Sequence, residues 1–211
     1  MVISLPPREL IIGLDLGQQR DYSAIVVLEL AETATGARDP RTYEFIRERV
    51  ITMRHAERVP IGTPYGGVVD RVAAIVHDQR LRGCTLVADA TGVGAPVVEF
   101  IRSRKLPCRL IAAQITGGAG ESSDGRYHRV PKRDLIVGLQ VLIDQWKLQL
   151  PAGKPWSREI IRELQGIKAK RSGSGNFRYE GQPDDLAMAL ALAWWWMRKH
   201  LAWRNPQSLA A

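Results

Sequence analysis

The sequence predicts an α/β protein whose central sheet mixes antiparallel and parallel strands and is covered by helices. Two observations predict this class. Three strand-like runs follow one another near the start with only polar turns between them, as in an antiparallel meander. After them, continuous apolar runs at Thr85–Asp89 and Arg109–Ile115 alternate with helical patterns, as buried parallel strands do. A meander continued by helix-linked parallel strands forms a mixed sheet with helices on its faces.

The first three strands are predicted from apolar content and period. Leu10–Asp15 is a short apolar run that ends in a polar turn, and Ser23–Leu30 is a second apolar run. These two segments are interpreted as antiparallel strands joined by a hairpin-like loop. Residues 31–42 are polar and are predicted to form a turn. Tyr43–Ile51 alternates apolar and polar residues, which predicts a third strand with one buried face.

The middle of the chain alternates helices and strands. Residues 68–82 carry apolar side chains at helical spacing before the strand Thr85–Asp89. A Gly-rich turn then leads into a predicted helix at Val97–Lys105, which precedes the strand Arg109–Ile115. Residues 117–128 are rich in Gly and Ser and are predicted to form a mobile loop.

The last third of the chain is predicted to be mainly helical. A long helix is expected at Lys132–Lys147, an amphipathic helix at residues 157–169 and a short strand at Asn176–Glu180. The last helix is predicted to begin at Asp184. Its expected buried stripe consists of Leu186, Leu190, Ala193, Trp194, Met197 and Leu201. Helical spacing turns one of the tryptophans of Trp194–Trp196 to the core and leaves the others beside it, so packing is favoured over base stacking.

The composition argues against a membrane-spanning or secreted protein and favours nucleic acid as the partner. The 211 residues are 45% hydrophobic and 25% charged, which is typical of a globular chain. The sequence contains no apolar run long enough for a membrane span and no signal-peptide pattern at its start, so a cytoplasmic protein is expected. Cys84 and Cys108 form no metal-binding pattern and are interpreted as core residues in a reducing compartment. The net charge of +8 favours nucleic acid as the partner.

The basic residues concentrate in clusters in the second half of the chain. Lys132 and Arg133 are the first candidates for phosphate contacts, because a helix N-terminus predicted there adds backbone donors. The second candidates are Arg126, Arg129, Lys168, Lys170 and Arg171. Phosphate contacts position DNA without reading its sequence, so low sequence specificity and steep salt dependence are expected.

Five aspartates lie at or near the ends of predicted buried elements. Asp15 ends the first strand, Asp21 lies in the turn after it, Asp89 ends the fourth strand, and Asp184 and Asp185 open the last helix. A charged side chain in an apolar strand is costly unless it is paired or binds a metal. If the first and fourth strands are parallel neighbours, Asp15 and Asp89 come close together and their repulsion calls for a cation.

Clustered carboxylates without Cys or His partners suit a hard ion such as Mg²⁺ or Mn²⁺. Two such ions can activate water and stabilise the leaving oxygen in phosphodiester cleavage. Each acid also has a structural alternative, because Asp15 can shape a turn, Asp89 can cap the following helix and Asp184 can be an N-cap. The shared placement at strand ends, together with the basic excess, favours the metal site.

Several segments together resemble one family. Residues 10–27 (LIIGLDLGQQRDYSAIVV) are similar to the opening of the nuclease domain of phage large terminases, residues 87–101 (VADATGVGAPVVEFI) to its second motif, and residues 183–193 (PDDLAMALALA) to its third. Residues 130–142 and 162–167 resemble the helices before that third motif. The resemblance covers nearly the whole chain and keeps the order of the motifs.

The resemblance implies a single RNase H-like nuclease domain over residues 1–211. It implies that Asp15, Asp89 and Asp185 bind two Mg²⁺ or Mn²⁺ ions, with Asp21 and Asp184 as accessory acids, and that the chain cleaves double-stranded DNA during packaging. Of the adjacent pair, Asp185 is favoured as the direct ligand, because Pro183 leaves Asp184 as the expected N-cap.

The family's partners are an ATPase motor, a small terminase and a portal. The chain departs from a full large terminase in having no G-x-x-x-x-G-K-[S/T] phosphate loop, so no ATPase domain is expected in it.

Two other functions remain open from the sequence. Holliday-junction resolvases share the expected fold and acids but act on branched DNA. A catalytically inactive DNA-binding module would keep the basic surface without binding metal. A third possibility, an actin-like sugar kinase or ATPase, is suggested by Gly13–Gly17, but such a protein needs a second homologous domain for which 211 residues are too few.

Overall fold

The computed structural model describes residues 8–17, 21–145, 148–171, 177–180 and 185–204. In this part of the chain the strands are β1 (Glu9–Asp15), β2 (Ser23–Arg38), β3 (Phe45–Val59), β4 (Thr85–Asp89), β5 (Arg109–Thr116), β6 (Ser122–Ser123), β7 (His128–Pro131), β8 (Leu148–Gln149), β9 (Lys168–Arg171) and β10 (Phe177–Glu180). The α-helices are α1 (Tyr65–Val76), α2 (Gly94–Ser103), α3 (Lys132–Asp144), α4 (Pro155–Gly166) and α5 (Asp185–Arg204), and a 3₁₀ turn covers Gln79–Leu81.

One eight-stranded mixed sheet, in the order β6-β7-β5-β4-β1-β2-β3-β8, organises the fold. Strands β1, β2 and β3 form an antiparallel meander. On the other side of β1, strands β4 and β5 continue the sheet in parallel, and β7 pairs in parallel with β5. A separate two-stranded sheet joins β9 to β10. The topology confirms the predicted α/β fold class, a mixed central sheet in which a three-stranded antiparallel meander is continued by parallel strands.

The sheet separates two hydrophobic cores because side chains alternate between its faces. Ile12 and Leu14 of β1 pack with helices α1 and α2 on one face. Ile11 belongs to the core on the other face, which α3, α4 and α5 cover. Helix α5 lies across β1 and β2 in the centre of this second face.

Between Leu186 and Met197, helix α5 is buried on all sides rather than along one stripe, and the side chain of Leu201 lies outside the described residues. Every residue from Leu186 to Met197 is at most 7% exposed, including the three tryptophans Trp194–Trp196. The predicted stripe is therefore too narrow: the sheet covers one side of the helix, and α3 and α4 cover others. A helix that is apolar all round is expected in such a position. The indole Nε1 of Trp194 donates to the carbonyl oxygen of Gly138 at 2.9 Å and ties α5 to α3.

The helix approaches β1 so closely that only glycine fits at one position. A Cβ atom added to Gly13 would lie 1.9 Å from the backbone oxygen of Ala189 in α5. Because this obstacle is backbone and not a flexible side chain, the helix itself would have to move. The glycine in the run Leu10–Asp15 is thus a packing requirement of the last helix.

The prediction of a turn at residues 31–42 is wrong in extent. Strand β2 continues to Arg38 and β3 begins at Phe45, so the two strands form a long ribbon with exposed residues on both faces. A two-sided exposed ribbon has no hydrophobic alternation, which is why the polar residues beyond Leu30 gave no strand signal.

The shortest strands were also missed. Strand β6 lies inside the segment 117–128 that was predicted to be a mobile loop, and β7 begins at its end. Strand β8 was not predicted, and β9 begins where the helix predicted at residues 157–169 was expected to continue. Strands of two to four residues are too short to show a period. The short strand predicted at Asn176–Glu180 is confirmed for Phe177–Glu180. The long helix ends at Asp144, three residues before its predicted end, and residues 146–147 lie outside the described residues.

No helix in the described ranges combines the length and the apolar character needed to cross a bilayer.

We expect Gly13→Ala to lower the free energy of unfolding by about 3 kcal/mol or more, because the added methyl group collides with the backbone of α5. The matched control is Gly66→Ala in α1, where an added Cβ meets nothing within 4 Å. There, the helix propensity of alanine is expected to raise stability by about 0.5–1 kcal/mol. Urea unfolding of the two variants measures both changes, and equal stabilities would contradict the close approach of α5.

Candidate active site

The candidate site lies along one row of residues at the carboxyl edge of β1 and β4. Leu14 pairs with Ala88 in the parallel β1–β4 ladder, so the next residues, Asp15 and Asp89, stand side by side at the ends of neighbouring strands. Neighbouring strands are about 4.8 Å apart, which brings the two backbones into direct lateral contact. The condition under which Asp15 and Asp89 come close together, parallel pairing of the first and fourth strands, is thereby met.

Both aspartates face the side of the sheet that α5 covers. Ile11 in β1 and Val87 in β4 belong to the α5 core, and strand alternation places Asp15 and Asp89 on that same face. Asp185 is the first residue of α5, which runs over β1 and β2. The three predicted acids therefore share one side of the molecule.

Small residues flank the two aspartates in the same row. Ala24 of β2 is opposite Asp15, and Ala113 of β5 is opposite Asp89. Both alanines are fully buried. Beyond Ala24 the row continues to Arg58 of β3. Small neighbours leave the space above the strand ends to the start of α5 and to the acids themselves.

Asp89 is held by the turn that follows β4. Its Oδ1 accepts hydrogen bonds from the backbone N–H of Thr91, at 2.8 Å, and from the Thr91 hydroxyl. The same hydroxyl accepts from the N–H of Ile115 at 2.7 Å, which fixes it between β4 and β5. Burial raises the pKa of Asp89, while the donors of Thr91 and the charge of Lys132 oppose that rise. Asp89 is 8% exposed, so both its orientation and its charge are controlled by the protein.

Asp185 is positioned by the N-terminal turn of α5. It is 8% exposed. The backbone N–H of Ala187 in the same turn donates to Oε2 of Glu163 at 2.8 Å, so a carboxylate from α4 caps this end of α5. The cap fixes the start of the helix, and with it the backbone that carries Asp185.

Arg58 and Glu163 are site residues that the sequence analysis missed. The Arg58 guanidinium pairs with Glu163 through Nη2, and its Nη1 donates to Glu159 at 2.8 Å. Its Nε lies 3.7 Å from Oδ2 of Asp185. Burial raises the pKa of Glu163 to about 6, with Arg58 opposing the rise and Asp185 adding to it.

A signal for Glu163 was present in the sequence. Glu163 is 6% exposed and lies one turn after the buried Ile160 in α4, so it is a charged residue on the buried stripe of an amphipathic helix. A carboxylate in that position needs a partner. Arg58 gave a weaker signal, because an arginine at the end of a strand is also common on exposed surfaces.

The structure links the two expected accessory acids, Asp21 and Asp184, to the site less directly than the other three acids. Asp21 is exposed and lines an open groove of about 990 Å³ beside the end of β1. Asp184 lies outside the described residues. Within the described ranges, no group of three or more His, Cys, Asp or Glu side chains is arranged so that it could hold a metal ion. The structure thus brings Asp15, Asp89 and Asp185 to one face, while their roles as ligands stay predictions.

The groove beside Asp21 lies towards the starts of α1 and α2. Its walls include Gly17, Ser23 and Tyr65, together with Val93 at the start of α2. Helices α1 and α2 both begin here, and no side chain within the described ranges caps either of them. Backbone N–H groups at uncapped helix starts favour anions, so the chemistry of this groove is compatible with a phosphate backbone.

The predicted DNA-binding residues occupy different positions around the sheet edge. Lys132 begins α3 at the carboxyl edge of β5 and β7, and its charge acts on Asp89. The other described candidates form surface ion pairs: Arg126 with Glu99, Arg129 with Asp124, and Arg133 with Asp134. The side chains of Lys168, Lys170 and Arg171, in strand β9, lie outside the described residues.

Comparisons with known proteins gave matches among solved structures only. No family model matches the sequence, and no curated protein matches it. The large terminase nuclease from thermophilic phage G20c with bound magnesium has a TM-score of 0.58 and 25% identity, over 90% of this chain and 82% of that chain. The same nuclease with bound cobalt has a TM-score of 0.59 and 24% identity, over 89% and 81% of the two chains.

A second phage protein gives the same result. The large terminase nuclease domain of Thermus phage P74-26 has a TM-score of 0.55 and 22% identity, over 92% of this chain and 83% of that chain. The matched lengths cover most of both chains, so the similarity is not confined to one part of the fold. The resemblance inferred from the sequence motifs is therefore confirmed at the level of the fold: the chain folds as the nuclease domains of phage large terminases do.

Proposed function

We propose that this chain is a metal-dependent endonuclease that cuts double-stranded DNA with low sequence specificity during phage DNA packaging. One observation carries the proposal: Asp15 and Asp89 end neighbouring parallel strands on the face where α5 begins with Asp185. Residues 1–211 would form a single nuclease domain. The solved terminase nucleases, with bound magnesium, cobalt or zinc, support the assignment to this reaction.

The residues present suit divalent cations. Asp89 is buried and Asp15 is partly buried, so side by side their carboxylates repel each other, and burial already raises the pKa of Asp89. Oxygen ligands of this kind favour Mg²⁺ or Mn²⁺, and two ions would be held by Asp15, Asp89 and Asp185, with Asp21 and Asp184 as accessory acids. Ions bound there would supply activation of water and neutralisation of charge on the leaving oxygen in phosphodiester hydrolysis.

The chain's own residues would orient the acids and hold the substrate. Thr91 fixes Asp89 through two donors, and Glu163 fixes the helix start that carries Asp185. Lys132 lies close enough to Asp89 to act on its charge and would bind a phosphate next to the cleaved bond. The groove lined by Gly17 and Tyr65 would accommodate the backbone of the DNA as it leaves the site.

The proposed partners follow from the same assignment. Double-stranded DNA matches the net charge of +8. Because the chain has no phosphate-loop motif, movement of DNA would be driven by an ATPase motor acting with a small terminase and a portal.

We expect Asp89→Asn to lower plasmid nicking in Mn²⁺ or Mg²⁺ by about 1,000-fold, because charge stabilisation by bound metal is worth several kcal/mol. The asparagine oxygen can still accept from Thr91, so the fold is expected to persist. Asp144→Asn, at the exposed end of α3, is the control and should retain full activity. Equal nicking by wild type and Asp89→Asn would contradict the assignment of Asp89 as a metal ligand. Preferential cleavage of four-way junctions over linear duplex would favour a resolvase instead.

We expect Lys132→Gln to reduce the salt dependence of DNA binding. Loss of one phosphate contact lowers the slope of log affinity against log salt concentration by about 0.9. Fluorescence anisotropy with a labelled duplex in EDTA measures this slope without cleavage. Lys105→Gln is the control, since Lys105 precedes β5 at the opposite end of the sheet. A slope unchanged in Lys132→Gln would remove Lys132 from the DNA contact.

We expect Thr91→Val to move the acid limb of the nicking profile to higher pH by about 0.5–1 unit. The ionised form of Asp89 loses a donor, so its pKa, already raised by burial, rises further. Only ionised Asp89 binds a cation, so activity disappears as the pH falls through this pKa. Thr91→Ser keeps the hydroxyl and should show the wild-type profile. Coincident acid limbs in the two variants would contradict the role of the hydroxyl.

A further inference from the structure

We propose that Arg58 is a positioning residue for Asp185 and sets the affinity of the site for its metal ions. The inference rests on the proposed nuclease function and concerns a residue that none of the nuclease-like sequence motifs includes. Arg58 lies in the same sheet row as Asp15, separated from it only by Ala24. It therefore reaches the carboxylates from the side of β3.

The guanidinium of Arg58 connects three elements around the start of α5. Its side chain is 19% exposed, and the Glu163 side chain that it pairs with is 3% exposed. Glu163 in turn accepts the N–H of Ala187 in the first turn of α5. Arg58 thus anchors the cap that holds the helix bearing Asp185.

The Nε–H group of Arg58 donates to neither Glu159 nor Glu163. Nη1 donates to Glu159 and Nη2 to Glu163, while the buried Nε has no hydrogen-bond partner among the described residues. The acid facing this Nε is Asp185, whose Oδ2 is 3.7 Å away. A movement of about 0.8 Å would bring that pair to ordinary hydrogen-bond length. A buried donor without a partner is rare, so its position beside a proposed ligand points to Asp185 as its acceptor.

Bonding between Nε and Oδ2 would fix the rotation of the Asp185 carboxylate relative to Asp15 and Asp89. It would also keep a positive charge beside an acid that is almost fully buried. A lysine retains the charge but cannot direct three donors at three acids, because its ammonium group is not a planar fork. A lysine at position 58 would therefore separate two contributions of Arg58. It would keep the positive charge beside Asp185 but lose the directed hydrogen bonds of the guanidinium.

The test compares Arg58→Lys, Arg58→Gln and the control Glu159→Gln. Glu159 is the outer partner of Arg58 and its side chain is 44% exposed, so its loss leaves the contacts to Glu163 and Asp185 in place. Mn²⁺ binding is measured by titration calorimetry, and nicking is measured as a function of Mn²⁺ concentration, on samples whose fold is checked by circular dichroism.

For Arg58→Lys we expect the Mn²⁺ dissociation constant and the Mn²⁺ concentration for half-maximal nicking to rise about 10-fold, with the maximal rate within about threefold of wild type. Arg58→Gln should weaken Mn²⁺ binding further, up to about 100-fold, so that lysine gives a partial rescue. Glu159→Gln should bind Mn²⁺ as wild type does.

Wild-type Mn²⁺ affinity in both Arg58 variants would overturn the proposal. So would an unfolded Arg58→Lys protein, which would show that Arg58 serves only stability. If the wild-type chain itself neither binds Mn²⁺ nor nicks DNA, the proposed function fails first, and that result is distinct from a variant effect.

Discussion

The contact between α5 and β1 is the constraint on which the site depends. Gly13 and the backbone of Ala189 meet so closely that no Cβ atom fits between them, and the helix lies at a short distance from the sheet that only glycine allows. That distance places the first turn of α5, with Asp185, above the ends of β1 and β4. From Leu186 to Met197 the apolar surface of the helix is buried on every side, so hydrophobic packing holds the body of the helix, while Glu163 caps its first turn.

Burial raises the free energy of the ionised acids at this edge, and neighbouring hydrogen-bond donors and positive charges offset part of that cost. The pKa of Asp89 is raised by burial although Thr91 and Lys132 act against it. The pKa of Glu163 rises to about 6 even with Arg58 beside it. The protein thus keeps several carboxylates partly desolvated close to one another, an arrangement found more often at functional sites than in ordinary cores. Cations bound to these acids would relieve the remaining repulsion.

The sequence was informative where burial imposed a pattern. Strands β1, β4 and β5 were predicted closely because each is an apolar run, and the placement of Asp15 and Asp89 at strand ends followed from them. The long ribbon of β2 and β3 was not predicted, since exposed residues such as Thr33 and Arg47 carry no burial signal. The pair of Arg58 and Glu163 was missed for another reason. The position of Glu163 on a buried helix stripe showed that it needs a partner, but no local pattern identifies a partner about a hundred positions away in the chain.

The position of α5 in the chain has a consequence for synthesis. The core that α5 completes includes Ile11 of the first strand, and contacts of such sequence separation form slowly. While a ribosome is still translating residues 185–204, the face of β1 and β2 that they will cover is open to solvent. The nascent chain at that stage presents a broad apolar surface, the kind of intermediate that chaperones bind and that aggregates when it accumulates.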